Sequence, residues 1–205
     1  QHNLHTCEMM DDVILDCTKK SKTYEPYRFF VKANPKAILL LELKSESEDN
    51  LQEQIAALQK SLTLSKHSYH SPILRGAEIE MALELRKAGL GLLGNMVGDQ
   101  KAVACIEDTA VALEDLPSYI SEFSALMKKY GQQAVYYAHA GAGELHLRPI
   151  LNLKEKEGLD YFRKITTDVA ILCKKYKGSF SGEHGDGIVR AEFIPLMIGE
   201  KNYEL

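Results

Sequence analysis

Two short stretches of this sequence concentrate residues able to bind metals and move protons. The first, "YYAHAGAGELHLRP" (Tyr136 to Pro149), sets His139 and His146 on either side of a small-residue turn. The second, "SGEHGDG" (Ser181 to Gly187), puts Glu183 beside His184 among glycines. Imidazole nitrogen is a ligand for divalent transition metals, with bonds near ~2 Å, and a carboxylate completes a two-histidine, one-carboxylate set that leaves positions open for substrate. A histidine next to that carboxylate points elsewhere and is free to carry a proton. Glycines at 182, 185 and 187 let the backbone approach a ligand closely. Each stretch alone has a plainer reading, as surface histidines on an exposed hairpin or as a solvated loop whose acids cap turns. Their conjunction points to a site.

The first stretch reads as a β-hairpin. With Gly141 to Glu144 as the turn, Ala140 faces Leu145 and His139 faces His146, with Cβ atoms about 4.5–5.5 Å apart. Tyr137 and Arg148 lie on that same face, while Tyr136, Ala138, Leu145 and Leu147 form an apolar face able to cover a core.

The elements around these loops follow from hydrophobic spacing. "EMMDDVILDCTKK" (Glu8 to Lys20) reads as a short helix, and Pro26 and Pro35 break the segment after it. Lys36 to Leu43 is a short apolar run with the signature of a buried strand. A serine cap then opens an amphipathic helix with Leu51, Ile55, Leu58 and Leu62 on one stripe. A second helix carries Ile79, Met81 or Ala82, Leu83 and Leu85 and ends at Gly89. Ala102 to Val111 is a strand candidate. A third helix presents Leu116, Ile120, Phe123 and Met127 and stops at Gly131; after the hairpin, a fourth presents Leu159, Phe162, Ile165, Val169 and Leu172. A hairpin rather than a crossover joins the best strand pair. The expected class is therefore α+β: an antiparallel sheet with helices packed on one face, of ferredoxin-like type.

Composition narrows the partners. The chain has 205 residues, 45% of them hydrophobic, enough for one globular domain or two small ones. A formal net charge of −4 without a basic cluster argues against nucleic acid, and no run approaches the roughly 20 apolar residues of a membrane span. No signal peptide is visible. The spacing of Cys7, Cys17, Cys105 and Cys173 supports neither a disulfide framework nor a zinc ribbon, so reduced thiols and a cytoplasmic location are expected. "GLGLLG" (Gly89 to Gly94) matches a dinucleotide fingerprint only in its letters, since a helix precedes it where a strand is required. Arg86, at the end of the second helix, reads on its own as a solvated cation at a helix terminus.

"HAGAGELH" resembles the H-x-G-D-G-N-x-H motif, and "SGEHGDG" the S-x-E-H-G-x-G motif, of the C-terminal region of FAD-linked oxidases of the vanillyl-alcohol-oxidase type. That family includes D-lactate and D-2-hydroxyglutarate dehydrogenases and the flavin subunits of glycolate oxidase. "MALELRKAGLGLL" resembles the same family's arginine-bearing segment, and the likeness runs from about Asp11 to Leu205. It implies that the chain is the substrate (cap) domain with the start of the C-terminal segment, that FAD is held mainly by an N-terminal domain outside it, and that the chain is truncated at both ends. It implies that His139, His146 and Glu183 ligate a divalent metal, zinc or manganese. His184 is then the base that takes the substrate's hydroxyl proton, and Arg86 binds the carboxylate of a small 2-hydroxycarboxylate. Ala142 and Glu144 stand where the motif has Asp and Asn. Arg148, on the histidine face, would supply a second carboxylate contact. Some relatives with this variant turn are fused to an iron–sulfur module, which makes such a module a candidate electron acceptor. The expectation is a flavin-dependent dehydrogenase that oxidises a D-2-hydroxy acid to a 2-oxo acid. The rival is a non-catalytic α+β module that binds a metal or a carboxylate.

Overall fold

A computed structural model describes residues 2–19 and 21–205. Gln1 and Lys20, the last residue of the expected first helix, lie outside the described residues. The backbone packs as two compact units, Gln1–Gly91 and Leu92–Leu205.

In the first unit, strand β1 (Thr6–Asp11) runs into helix α1 (Asp12–Lys19), and β1 pairs antiparallel with β2 (Ala37–Glu42) from Thr6 opposite Glu42 to Asp11 opposite Ala37. The helix expected from Glu8 therefore starts four residues later. Its first four residues are strand because "EMMD" has an apolar partner run to pair with. Asp11 then opens the helix by accepting the Ile14 N–H at 3.0 Å. The run from Ala37 is a strand as expected, although Leu39 is 52% exposed, so it is not buried on both faces. Helix α2 (Glu48–Ser65) begins at the predicted serine: the Ser47 hydroxyl accepts from Asn50 N–H, and Leu51, Ile55, Leu58 and Leu62 are half-buried. Helix α3 (Ala77–Leu92) does not stop at Gly89. It passes through, and Gly89 lies so close to Ile14 that a Cβ would stand 2.4 Å from Ile14 Cγ2. "GLGLLG" is thus helix followed by a 3₁₀ turn.

The second unit follows the β-α-β-β-α part of the ferredoxin-like order, with a single bridge at Ser179 in the place of a last strand. Strand β3 (Lys101–Ala102) and β4 (Ile106–Ala110) divide the single strand expected there; helix α4 (Leu116–Lys129), β5 (Ala134–His139), β6 (Glu144–Leu151) and helix α5 (Lys156–Lys175) follow. β5 and β4 flank β6, both antiparallel to it, and β3 pairs with the far end of β6. Beyond α5 the chain returns to make a bridge in which Ser179 and Ala110 exchange N–H···O bonds of 2.9 Å, which puts it on the outer side of β4. The core lies between this sheet and the two helices: Ile106, Leu145, Leu147, Tyr119, Phe123, Ile165 and Val169 are fully buried. Phe123 meets Tyr136 edge to face at 5.6 Å, and the Tyr119 hydroxyl donates to Thr109 Oγ1 at 3.1 Å. The first contact brings α4 to the apolar face of the hairpin and the second to β4 beside it, which leaves the histidine face on the other side. Short helical turns carry the chain from Gly187 to Tyr203.

All four cysteines are free. Burial pushes the Cys105 thiol up to about 11 and the Cys173 thiol up to about 12, the state of inert packing residues. Among the described residues no helix is long and apolar enough to cross a membrane.

Candidate active site

The hairpin register differs from the sequence expectation by two residues. The turn is Ala140–Gly143, so His139 stands opposite Glu144, and Tyr137 opposite His146. Side chains alternate with a period of two, so this shift leaves His139, His146, Tyr137 and Arg148 on their predicted face while changing who faces whom. His139 and His146 are now diagonal neighbours, with ring centroids 5.1 Å apart.

The second strand of the site is β4, for which hydrophobic spacing predicts a strand and no site residue. Its register against β6 slips between Glu107 and Thr109, with Glu107 opposite His146 and Thr109 opposite Leu145. Asp108 is the extra residue of a β-bulge, with a φ of +77° that is uncommon outside glycine. Strict alternation would send Asp108 into the apolar core. The bulge instead places both acids on the side of the histidines.

Asp108, 0% exposed, organises the Glu–His loop. Its carboxylate accepts from the Ser181 hydroxyl at 2.7 Å, from Glu183 N–H at 3.0 Å and from His184 N–H at 2.8 Å, while its own carbonyl accepts from Gly182 N–H at 2.6 Å. Burial alone would raise its pKa. Hydrogen bonds from Glu144, Ser181 and the two backbone amides outweigh that and hold Asp108 down at about 2. Arg190, also buried, donates to the carbonyls of Glu107, Phe180 and Gly185, so a second clamp joins the bulge to the glycine loop.

This scaffold brings together four of the six side chains singled out in the sequence. Glu183 Oε1 is 3.2 Å from His184 Nε2 and 3.8 Å from His139 Nε2. His184 stacks on His146 with centroids 5.5 Å apart. Donor atoms of His139, Glu144, His146 and Glu183 all lie within 4.8 Å of one another. His146 is buried, and burial lowers its pKa to about 4 against the opposing charge of Glu107, so at ordinary pH it is a neutral imidazole, the form able to ligate a metal. Glu144 moves the other way, to about 8, through burial first and then its contact with Asp108 and the charge of Glu183.

The donor set suits a divalent cation. Among the described residues, His146 Nδ1 and Glu144 Oε1 are buried without a hydrogen-bond partner. Such atoms cost about 1–3 kcal/mol each when left unmatched. His146 Nδ1 stands 3.7 Å from Glu107 Oε1, longer than a hydrogen bond.

The two arginines are engaged differently from the sequence expectation. Arg148 Nη2 lies 2.7 Å and 2.6 Å from the two oxygens of Glu107, so this guanidinium holds the acid beside His146. Arg86 is no solvated helix-end cation. It is 9% exposed within the first unit and pairs with Glu8.

The sequence singles out none of Glu107, Asp108 and Arg190, and marks Glu144 only as a departure from the motif. Two adjacent acids inside "CIEDTA" were the available signal for the first two, since an alternating strand cannot turn both away from its core.

Comparison with known proteins places the chain. Residues 1–205 match the family described as FAD linked oxidases, C-terminal domain, and the chain belongs to that family. It is 32% identical over 208 residues to the D-2-hydroxyglutarate dehydrogenase of Pseudomonas putida, covering 97% of this chain and 20% of that protein. The corresponding enzyme of Haemophilus influenzae is 32% identical over 197 residues, covering 91% of this chain and 19% of that protein. The D-lactate dehydrogenase of Archaeoglobus fulgidus is 30% identical over 104 residues, covering 51% of this chain and 23% of that protein. The chain thus spans about a fifth of the length of the first two relatives.

Proposed function

We propose that this chain is the substrate- and metal-binding domain of a flavin-dependent 2-hydroxyacid dehydrogenase, which oxidises a D-2-hydroxy acid to the 2-oxo acid. The observation that carries this reading is that donor atoms of His139, His146 and Glu183 lie within 4.8 Å of one another, with His184 beside Glu183 and stacked on His146, in a member of the FAD-linked oxidase family. His139, His146 and Glu183 would hold a divalent ion, zinc or manganese, whose chemistry is to acidify a bound hydroxyl. FAD, bound mainly by a separate N-terminal domain, supplies the hydride acceptor.

The chain's own residues do the rest. His184 takes the proton of the substrate hydroxyl on its imidazole as the α-hydrogen leaves as hydride, and the substrate becomes a 2-oxo acid. The His184 side chain is about half exposed, so substrate can reach it. Asp108 fixes the backbone beneath Glu183 and His184, and the Glu107–Arg148 pair flanks His146 and limits its rotation. Arg86, by the resemblance of its segment, binds the substrate carboxylate. An iron–sulfur module as electron acceptor and a cytoplasmic location complete the proposal.

The relatives' names make D-2-hydroxyglutarate and D-lactate the first substrates to try. The test uses the full-length protein carrying this chain together with its flavin. Each acid is added anaerobically while flavin bleaching is followed, and metal is counted by elemental analysis. His139→Ala and His146→Ala should each lose the ion and the bleaching. Metal content and bleaching equal to wild type in both variants would defeat the reading.

A further inference from the structure

We propose that Glu144 is a fourth protein ligand of that divalent ion, so that two imidazoles and two carboxylates hold it. The proposal rests on the reading of the histidine cluster as a metal site and adds a donor to it. Three independent features of the structure support the addition.

The first is register. Glu144 is the first residue of β6 and stands directly opposite His139 on β5, so the two side chains share a face as nearest cross-strand neighbours. The donor atom of Glu144 lies within 4.8 Å of those of His139, His146 and Glu183, the same span that relates those three to one another. The second is an unmatched atom: Oε1 of Glu144 is buried and has no hydrogen-bond partner among the described residues. A metal ion is the partner that suits a carboxylate oxygen surrounded by imidazoles and further carboxylates, because carboxylates left alone together repel one another.

The third feature is the space made for it. A Cβ at Gly182 would fall 3.2 Å from Glu144 Cδ, 3.3 Å from Glu144 Cγ and 3.1 Å from Asp108 Oδ1. The missing side chain at 182 lets the Glu–His loop close over the Glu144 carboxylate, which brings Glu183 to the same point from the other side. The related motif has Asn at this position, a neutral side chain. Glu144 therefore adds a negatively charged oxygen donor, and oxygen-rich sets suit manganese.

The test is Mn²⁺ binding to the full-length protein, stripped with a chelator and titrated while the electron paramagnetic resonance signal of free Mn²⁺ is recorded. Glu144→Gln should weaken binding at least tenfold, and His139→Ala and His146→Ala at least as much. Binding by Glu144→Gln equal to wild type, with both histidine variants impaired, would overturn the fourth ligand and leave the three-ligand site standing. Undiminished binding in all three variants would overturn the metal site itself. If Glu144→Gln does not fold, a crystal structure of the wild-type protein with Mn²⁺ decides. A Glu144 oxygen bonded to the ion supports the proposal, and a carboxylate turned away from it overturns it.

Discussion

The carboxylate of Asp108 receives the backbone N–H of His184 at 2.8 Å, across 76 positions of sequence. Through this bond and those from Ser181 and Glu183, a bulge in one strand sets the direction of a loop that is itself largely exposed. Hydrogen bonds to a charged group contribute about 1.5–3 kcal/mol each, and buried amides left without acceptors add a cost of their own. Asp108→Asn keeps a side chain that tolerates the left-handed backbone but halves the acceptor capacity. It should lower unfolding free energy by about 2 kcal/mol in urea titration and speed hydrogen exchange at the Glu183 and His184 amides. Unchanged exchange at both amides would show that the loop holds its shape without Asp108.

The same region should give the metal-free protein a stability that falls off in both directions of pH. Asp108 is depressed from 3.8 to about 2, so it adds stability above pH 3.8 that is lost as pH falls through 2. Glu144 is raised from 4.5 to about 8. Its contribution is fully present below pH 4.5 and is lost as pH rises through 8. His146, lowered to about 4, acts in the opposite sense between pH 4 and 6.5, so thermal midpoints of chelator-treated protein should decline chiefly between pH 6.5 and 8, and Glu144→Gln should flatten that decline. An identical pH profile in wild type and variant would show that Glu144 titrates normally.

The hairpin shows which features the sequence makes legible. Its two faces were readable because alternation survives a two-residue slip, whereas the pairing of His139 with Glu144 was not, since several small residues can form the turn. α2 was legible from one serine and four evenly spaced apolar residues. Met9 and Val13, by contrast, fit a loose helical spacing across what is in fact a strand–helix junction at Asp11. Asp108 escaped notice because a bulge has no periodic signature: it is an exception to the alternation by which strands are recognised. Arg148 was placed on the correct face, but its partner Glu107 comes from a strand 41 residues earlier, and spacing carries no information about such a meeting.

Arg86 offers a test of how a buried arginine divides its work. It pairs with Glu8, and both side chains are nearly enclosed. Removing one member of an enclosed ion pair leaves the other charge poorly solvated, at a cost of about 3 kcal/mol. Glu8→Ala should therefore lower stability by about that amount. Arg86→Lys keeps the charge but loses the planar fork that matches a carboxylate. With D-2-hydroxyglutarate it should lower kcat/KM about tenfold, the effect of about 1.4 kcal/mol. Unchanged kinetics for Arg86→Lys, together with a loss of stability in Glu8→Ala, would assign Arg86 to the fold alone.

Gly143 ties the hairpin turn to the strand beside it. Its φ is +73°, and a Cβ built there would lie 2.1 Å from the Val111 carbonyl oxygen, the same residue whose N–H donates to the Gly143 carbonyl at 3.0 Å. Backbone stands against backbone here, so no side-chain rotation can relieve the clash. Gly143→Ala should push the turn away from Val111 and cost about 2 kcal/mol or more, combining left-handed strain with the lost hydrogen bond. His139 and Glu144 border this turn, so the displacement should also weaken Mn²⁺ binding, although the variant alters no donor atom. Gly131→Ala is the comparison: Gly131 has a φ of +63° and nothing within 4 Å of its missing Cβ. It should lose stability through strain alone and bind the ion as wild type does. Equal Mn²⁺ affinity in the two variants would mean that the turn's contact with Val111 does not set the positions of His139 and Glu144.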